Sequence, residues 1–176
     1  MAYTLEQFCT DCRAILKTAQ DNAAREAIRS SLERLLANRD FVAAHCEAGA
    51  TPGVTTLFHD PETDVHVLCH VYDKPRKSPP HDHGASWAIY GQAVLHTDMT
   101  DWQRTDRKVG PEKDRDEVEP VRRYRLDPGK VGVYHPGMVH SIDYPAGARF
   151  IRVTGTNLDL IPRGAYVAAE KVAVQA

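Results

Sequence analysis

From Val54 onward the chain is a succession of short segments rich in β-branched and aromatic residues: VTTLFHD, VHVLCHVY, SWAIYGQAVLHTDM, VRRYRLD, KVGVYHP, HSIDYP and ARFIRVTGT. The turn-forming stretches DPETD, DKPRKSPP, DPG, HPG and YPAG part them. Many short strands punctuated in this way must pair with one another, which points to an antiparallel sandwich or barrel. The stretch from Thr100 to Glu119 carries charges of both signs and reads as a solvated loop between two strands. No repeat of a solenoid type is present.

The first third follows a different period. Thr4 and Gln7 form a capping box, and Leu5, Phe8, Cys9, Cys12, Ile15, Leu16 and Ala19 then recur at helical spacing. Asp21 or Asn22 can cap a second helix, whose Ala24, Ala27, Ile28, Leu32, Leu35 and Leu36 share a face. Asp40 can start a short third helix, FVAAHC, ended by Gly49, and Pro52 and Gly53 mark the break. The expected organisation is one domain: helices over 1–50, a barrel over 51–162, and an arm over 163–176 that lies against the body or a second subunit. Cys9 and Cys12 form a C-x-x-C inside the amphipathic helix, with neither the strand-to-helix setting of a redox motif nor a second pair to hold zinc. The pair reads as buried reduced thiols; Cys46 and Cys69 are the other two cysteines.

At 176 residues the chain suits a single core, and its net charge of −2 speaks against nucleic acid as a partner. The N-terminus lacks a basic flank followed by an apolar run, and no apolar stretch nears the roughly 20 residues of a membrane span. A cytoplasmic protein without a membrane partner is the expectation.

PPHDHGASWAIYG, residues 79–91, carries the chemistry. His81 and His83 stand one residue apart, so on a strand both imidazoles point to one face. They offer two ligands for a transition metal, or they are two surface histidines in a Pro/Gly loop. A third histidine follows in GKVGVYHPGMVH, where a P-G turn aims His140 at a fixed point.

The two segments together resemble the paired motifs of the cupin superfamily, H-x-H in the first and P-G-x-x-H in the second. The resemblance runs from Val65 to Thr154. It implies a mainly β fold, the cupin double-stranded β-helix or jelly-roll barrel with N-terminal α-helices added, and one metal held inside the barrel by His81, His83 and His140. The usual pattern adds a glutamate three to five residues after the second histidine. Here Trp87 or Ala88 stands in its place, so the three imidazoles have no anionic companion. That leaves open positions for an anionic substrate and dioxygen. Within the superfamily the chain is similar to the cysteine dioxygenase-like branch, the thiol dioxygenases. The order of helices, the L-F strand, VLCHVY, the loop into HDHG with Asp82, and the following S-W all fit.

Several residues depart from that branch. Thr55 or Thr56 takes the place of the arginine that clamps the substrate carboxylate in its animal members. Phe150, Arg152 and Thr154 replace a Ser-x-His-x-Tyr run, and Ala88 replaces the cysteine that cross-links to that tyrosine. Cysteine itself is therefore not the expected substrate. Arg152 shares a strand face with Phe150 and Thr154 and should point inward. It serves either as a clamp for a carboxylate or similar anion, or as a structural salt bridge to a barrel acid. His70 should share the pocket as a general base or a hydrogen-bonding group, or be satisfied in the core. Tyr90 and Gln92 should line the barrel. Tyr90 either supplies the missing tyrosine's hydroxyl or packs with its hydroxyl tethered. Trp87 faces away or closes the rim. His96 and His135 read as non-ligands, and His59 as an exposed histidine at a hairpin tip.

The function these resemblances imply is a mononuclear non-haem iron(II) dioxygenase oxidising a small anionic thiol with O2, in which His70, Tyr90 and Arg152 act beside the metal. Fe(II) is the expected metal, with Zn, Ni or Mn as alternatives. The alternatives in function are another metal-dependent cupin enzyme, such as a carbon–carbon cleaving dioxygenase or an isomerase, and a non-catalytic metal- or ligand-binding cupin. The expected partners are a small-molecule substrate and O2. A homodimer paired through sheets is the candidate assembly.

Overall fold

The computed structural model describes residues 2–47 and 49–169. Three helices come first: α1 Leu5–Thr18, α2 Asn22–Leu36 and α3 Arg39–Cys46. The Thr4/Gln7 capping box closes α1, and the Asp21 carboxylate caps α2 by accepting from the Ala24 amide. The third helix starts earlier than its apolar run suggests. Asn38, not Asp40, is its cap, because the Asn38 side chain accepts from both the Asp40 and Phe41 amides.

Ten strands follow: β1 Gly53–His59, β2 His66–Val71, β3 Arg76–Lys77, β4 Ala88–Val94, β5 Thr97–Val109, β6 Arg115–Leu126, β7 Val131–Tyr134, β8 Val139–Tyr144, β9 Arg149–Thr154 and β10 Tyr166–Ala168. They form two five-stranded sheets, in the orders β1-β2-β9-β4-β7 and β10-β6-β5-β8-β3. Every pairing is antiparallel except β10 on β6, among the described residues. This is the expected double-stranded β-helix with three added helices.

Period-2 alternation decides what each sheet face meets. Val67, Cys69, Val71, Ile89, Ile151 and Val153 of the first sheet join Phe8, Cys12, Ile28, Leu32 and Leu35 in the cluster beneath the helices. The intervening Ala88, Tyr90 and Phe150 face the other way and meet Met99, Leu126, Tyr134 and Tyr144 in the barrel interior. Strands β2, β4 and β9 of the first sheet are therefore largely buried on both faces, and each fully buried aliphatic side chain in them stabilises the fold by about 1.5–3 kcal/mol. Gly91 allows the helices this close. A Cβ there would stand 2.7 Å from Leu36 Cδ1 and 2.8 Å from Leu32 Cδ2. Trp87 belongs to the helix-side cluster, and all four cysteines are buried free thiols.

Three further expectations need correction. Thr100 to Glu119 is not a loop but most of a long hairpin, in which Thr97–Leu126, Asp101–Arg122 and Lys108–Asp116 are direct cross-strand pairs. Residues 103–108 of β5 and 119–123 of β6 are mostly exposed, so little apolar alternation exists to read. Ladder hydrogen bonds and ion pairs such as Lys108–Asp116 and Arg107–Glu117 accompany the extended backbone instead. SWAIYGQAVLHTDM is not one strand. It breaks at Leu95, which adopts a left-handed φ of 58° between β4 and β5. The HDH stretch is a loop rather than a strand, joined to β8 only by the bridge between His81 and His140. Pro79 and Pro80 lack the amides a strand would need. The described part of the arm forms β10 against β6, while residues 170–176 of it lie outside the described residues.

The turn joining β1 to β2 is organised by one buried carboxylate. Asp60 accepts from Arg13 Nε at 3.0 Å and from the Thr63 hydroxyl at 2.7 Å. The Arg13 guanidinium, helped by Thr63 and the Glu62 amide, holds the Asp60 carboxyl down at about 2. The folded state thus gains stability from ionised Asp60 above pH ~4, the unfolded range of an aspartate, and loses it as pH falls through about 2. Asp60→Asn should cost about 1.5–3 kcal/mol at neutral pH, as a hydrogen bond to a charged group does. Melting curves at pH 7 and pH 3 check this. The deficit relative to wild type should be largest at pH 7 and smaller at pH 3.

Candidate metal centre

Three imidazoles meet at one end of the barrel. His81 and His140 exchange backbone hydrogen bonds, each N to the other's O at 2.9 Å, which stitches the HDH loop to β8. The Gly137 amide donates to the Gly84 carbonyl at 3.0 Å, tying the P-G turn to the same loop. Gly84 itself has φ +57°, and a Cβ there would lie 2.2 Å from the Pro162 carbonyl oxygen. Only glycine lets the C-terminal segment cross so closely. These constraints explain why two sequence-distant motifs converge. The ring centroids lie 4.5 Å apart for His81–His140, 5.0 Å for His83–His140 and 5.6 Å for His81–His83.

One donor nitrogen from each of the three rings lies within 4.8 Å of the others. His81 Nδ1 is occupied by the Pro79 carbonyl at 3.0 Å, which leaves Nε2 free. His83 Nδ1 and both His140 nitrogens are buried without a hydrogen-bond partner. Orphaned imidazole nitrogens in a core are costly, and a shared cation would satisfy one nitrogen of each ring. Burial pushes all three imidazoles below their usual range, His83 to about 3, and the neighbouring rings reinforce the effect at His83 and His140. Neutral imidazole is the form that ligates metal. The donor set therefore fits one divalent transition metal. Trp87 is on the helix side and Ala88 carries no donor, so no carboxylate joins the three rings among the described residues.

A cavity of about 110 Å³ adjoins the rings, lined by His70, Tyr72, Arg76, Ser78, His81, His83, Tyr90, Ile142, Tyr144, Phe150, Arg152 and Arg163. Three guanidiniums and no carboxylate appear in that lining, so its potential is positive. A larger hollow of about 530 Å³, between Lys77, Asp98, Trp102 and Arg123, contains no histidine.

Arg152 and Tyr90 are direct cross-strand partners, so both rise from one rung of the first sheet into this cavity. Arg152 Nε is buried with no hydrogen-bond partner. The cavity offers it no acid, so the salt-bridge alternative has no barrel carboxylate to use. The Tyr90 hydroxyl lies 3.4 Å from His83 Nε2, and burial, opposed by Arg152, pushes it up from its ordinary value. His70 stacks on Phe150 at 4.7 Å, and its Nδ1 lies 2.9 Å from the Tyr72 hydroxyl. Burial, with Arg152 and Arg76 adding to it, lowers the His70 imidazole to about 3. Its Nε2 is buried with no hydrogen-bond partner.

Other expected residues stand elsewhere. Thr55 and Thr56 are exposed on β1 and do not line the cavity. Gln92 is buried but ties itself to the Val94 carbonyl and the Thr97 hydroxyl. Thr154 donates its hydroxyl to the Thr156 carbonyl at 2.8 Å, so it does not stand in for a tyrosine. His96 and His135 are outside the cluster.

Sequence reading missed Arg76, Arg163 and the role of Asp82. The buried Asp82 carboxylate accepts from the Gly84 amide, the Gly164 amide and the Tyr166 hydroxyl at 3.2, 3.1 and 2.7 Å. Burial opposes its charge, yet these donors hold its carboxyl below the usual range. Asp82 thereby pins the C-terminal segment that carries Arg163 across the cavity.

No family model matches the sequence, and no curated protein matches it. Several solved structures resemble the fold. The cupin domain of Cnp3 from Schizosaccharomyces pombe is 10% identical, with a TM-score of 0.43 over 59% of this chain and 60% of that one. KdgF from Halomonas sp. is 17% identical, with a TM-score of 0.41 over 63% and 87% of the two chains. A cupin superfamily protein from Desulfitobacterium hafniense is 10% identical, with a TM-score of 0.41 over 62% and 84%. The assignment of the fold rests on the strand orders and on which faces are buried. The fold is a double-stranded β-helix. No helix among the described residues is long and apolar enough to cross a membrane.

Proposed function

We propose that this protein is a mononuclear metal-dependent cupin enzyme of the thiol dioxygenase type, acting on a small anionic thiol. The observation that carries the reading is the cluster of three neutral imidazoles without a carboxylate, opening onto a cavity lined by Arg76, Arg152 and Arg163. His81, His83 and His140 would hold Fe(II), which when bound supplies the means of bringing thiolate and O2 together. Arg152, whose Nε has no partner, receives the carboxylate or similar anion of the substrate in a charge-assisted pair. Arg163 and Arg76 close the anion-binding wall. His70, fixed by Tyr72, offers a hydrogen bond to the substrate while remaining neutral. The Tyr90 hydroxyl, beside His83, holds a proton close to the reacting atoms. In the overall reaction, R–S⁻ + O2 gives R–SO2⁻: both oxygens end on sulfur, which supplies all four electrons.

A second reading has one observation in its favour. Phe150, Arg152 and Thr154 stand where the branch carries its serine, histidine and tyrosine, as the relay's replacement by other chemistry would require. A carbon–carbon cleaving dioxygenase or an isomerase would then use the same three imidazoles. O2 consumption by Fe(II)-loaded protein separates the two. Under the first reading, small thiols bearing a carboxylate or sulfonate trigger uptake with one O2 per sulfinate formed, and their hydroxyl analogues do not. Uptake with the hydroxyl analogues, or none with any thiol, would overturn it.

A further inference from the structure

The hairpin between β1 and β2 presents a second convergence of metal-type donors, none of which lines the cavity. His59 and His66 are cross-strand partners, and their rings stack with centroids 4.1 Å apart. One carboxylate oxygen, Asp64 Oδ1, faces both. It lies 3.0 Å from His59 Nε2 and 3.4 Å from His66 Nε2. The donor atoms of all three residues fall within 4.8 Å of one another. Zinc binds imidazole and carboxylate at about 2.0–2.2 Å, which spaces tetrahedral donors about 3.3–3.6 Å apart. The His66–Asp64 separation falls in that range, and the His59–Asp64 contact, a direct hydrogen bond, would have to lengthen slightly to admit an ion. His66 Nε2 is in addition buried with no hydrogen-bond partner.

The scaffold holds these donors in place before any ion arrives. Asp64 occupies a left-handed conformation, φ 56°, inside the turn that the Asp60–Arg13 pair organises. Its other oxygen, Oδ2, accepts from the Thr156 hydroxyl on the segment after β9. That hydrogen bond, opposed by burial and aided by His59 and His66, keeps the carboxyl ionised below its ordinary range. His59 and Asp64 are exposed, so water can complete the shell. Along β2, His66 lies four residues from His70, about 13 Å of extended chain, so the two clusters are separate sites.

We propose that His59, Asp64 and His66 form a surface site for a divalent transition metal, zinc being the probe of choice. Two imidazoles select against Ca2+ and Mg2+, which take oxygen ligands. A bound ion would cross-link the ends of β1 and β2 and, through Asp64 and Thr156, the chain that leaves β9.

Equilibrium dialysis of the full chain against Zn2+ tests this, with Co2+ absorption as a check on tetrahedral ligation. Wild type should bind two equivalents. The double variant His59→Ala/His66→Ala should bind one, and Asp64→Asn should weaken that equivalent at least tenfold while the hairpin stays intact. His140→Ala should retain the hairpin equivalent and lose the other, so failure of the cavity site is seen separately. If the double variant binds as many ions as wild type, the proposal is wrong, and the His–Asp–His cluster is a hydrogen-bonded hairpin clasp only.

Discussion

His140→Ala should abolish stoichiometric metal in the cavity site while the chain stays folded. His140 is fully buried and stacks on Tyr134 at 3.9 Å, so its removal leaves a small cavity and loses some packing. It also removes two orphaned nitrogens, which offsets part of that cost. Loss of an outer-shell partner commonly weakens a metal by 10–100-fold, and loss of a ligand itself should do more. Affinity at this site should therefore fall by at least about 100-fold, with far-UV circular dichroism unchanged. His135→Ala is the matched control. It alters a histidine on the same P-G turn but outside the three-ring cluster, and it should keep the metal. Full metal retention in the cavity of His140→Ala would mean that the three rings are not the ligand set.

Arg152→Met should separate substrate recognition from metal binding. Methionine removes the charge and keeps much of the length, so Phe150 and Tyr90 retain a neighbour. Hydrogen bonds to a charged group contribute about 1.5–3 kcal/mol, which corresponds to a rise in KM on the order of 10–100-fold for an anionic thiol. Metal stoichiometry should be unchanged. A neutral amide or ester analogue should show little difference between the two proteins, because the guanidinium has no anion to hold in that case. Arg152→Lys should recover only part of the loss, since a lysine cannot make a bidentate pair. An unchanged KM for every anion would make Arg152 a packing residue.

What the sequence discloses tracks how local the physical signal is. Strands β2, β4 and β9 carry apolar residues on the face toward the helices, and their alternation assigns His70, Tyr90 and Arg152 to the interior without any coordinates. The three histidines are legible because glycine, proline and histidine at fixed offsets encode a turn geometry. The β5–β6 hairpin is not legible, because residues 103–108 and 119–123 are mostly exposed and carry no apolar period. Arg76 and Arg163 come from segments with no periodic pattern, and what places Arg163 is a carboxylate 82 positions before Gly164. The low basicity of His70 is likewise a product of burial and of two arginines on other segments. The Asp64 cluster depends on a hairpin register that brings His59 opposite His66, and on a left-handed aspartate in its turn. Sequence spacing alone makes His59 an exposed hairpin residue, which it is, without showing what faces it.

The most direct measurement is a crystal structure of anaerobically Fe(II)-loaded protein with anomalous data collected across the iron edge. The account predicts an iron peak shared by His81, His83 and His140, at about 2.0–2.2 Å from one nitrogen of each, with remaining positions facing Arg152. Strong iron density elsewhere with none among these three rings would contradict it.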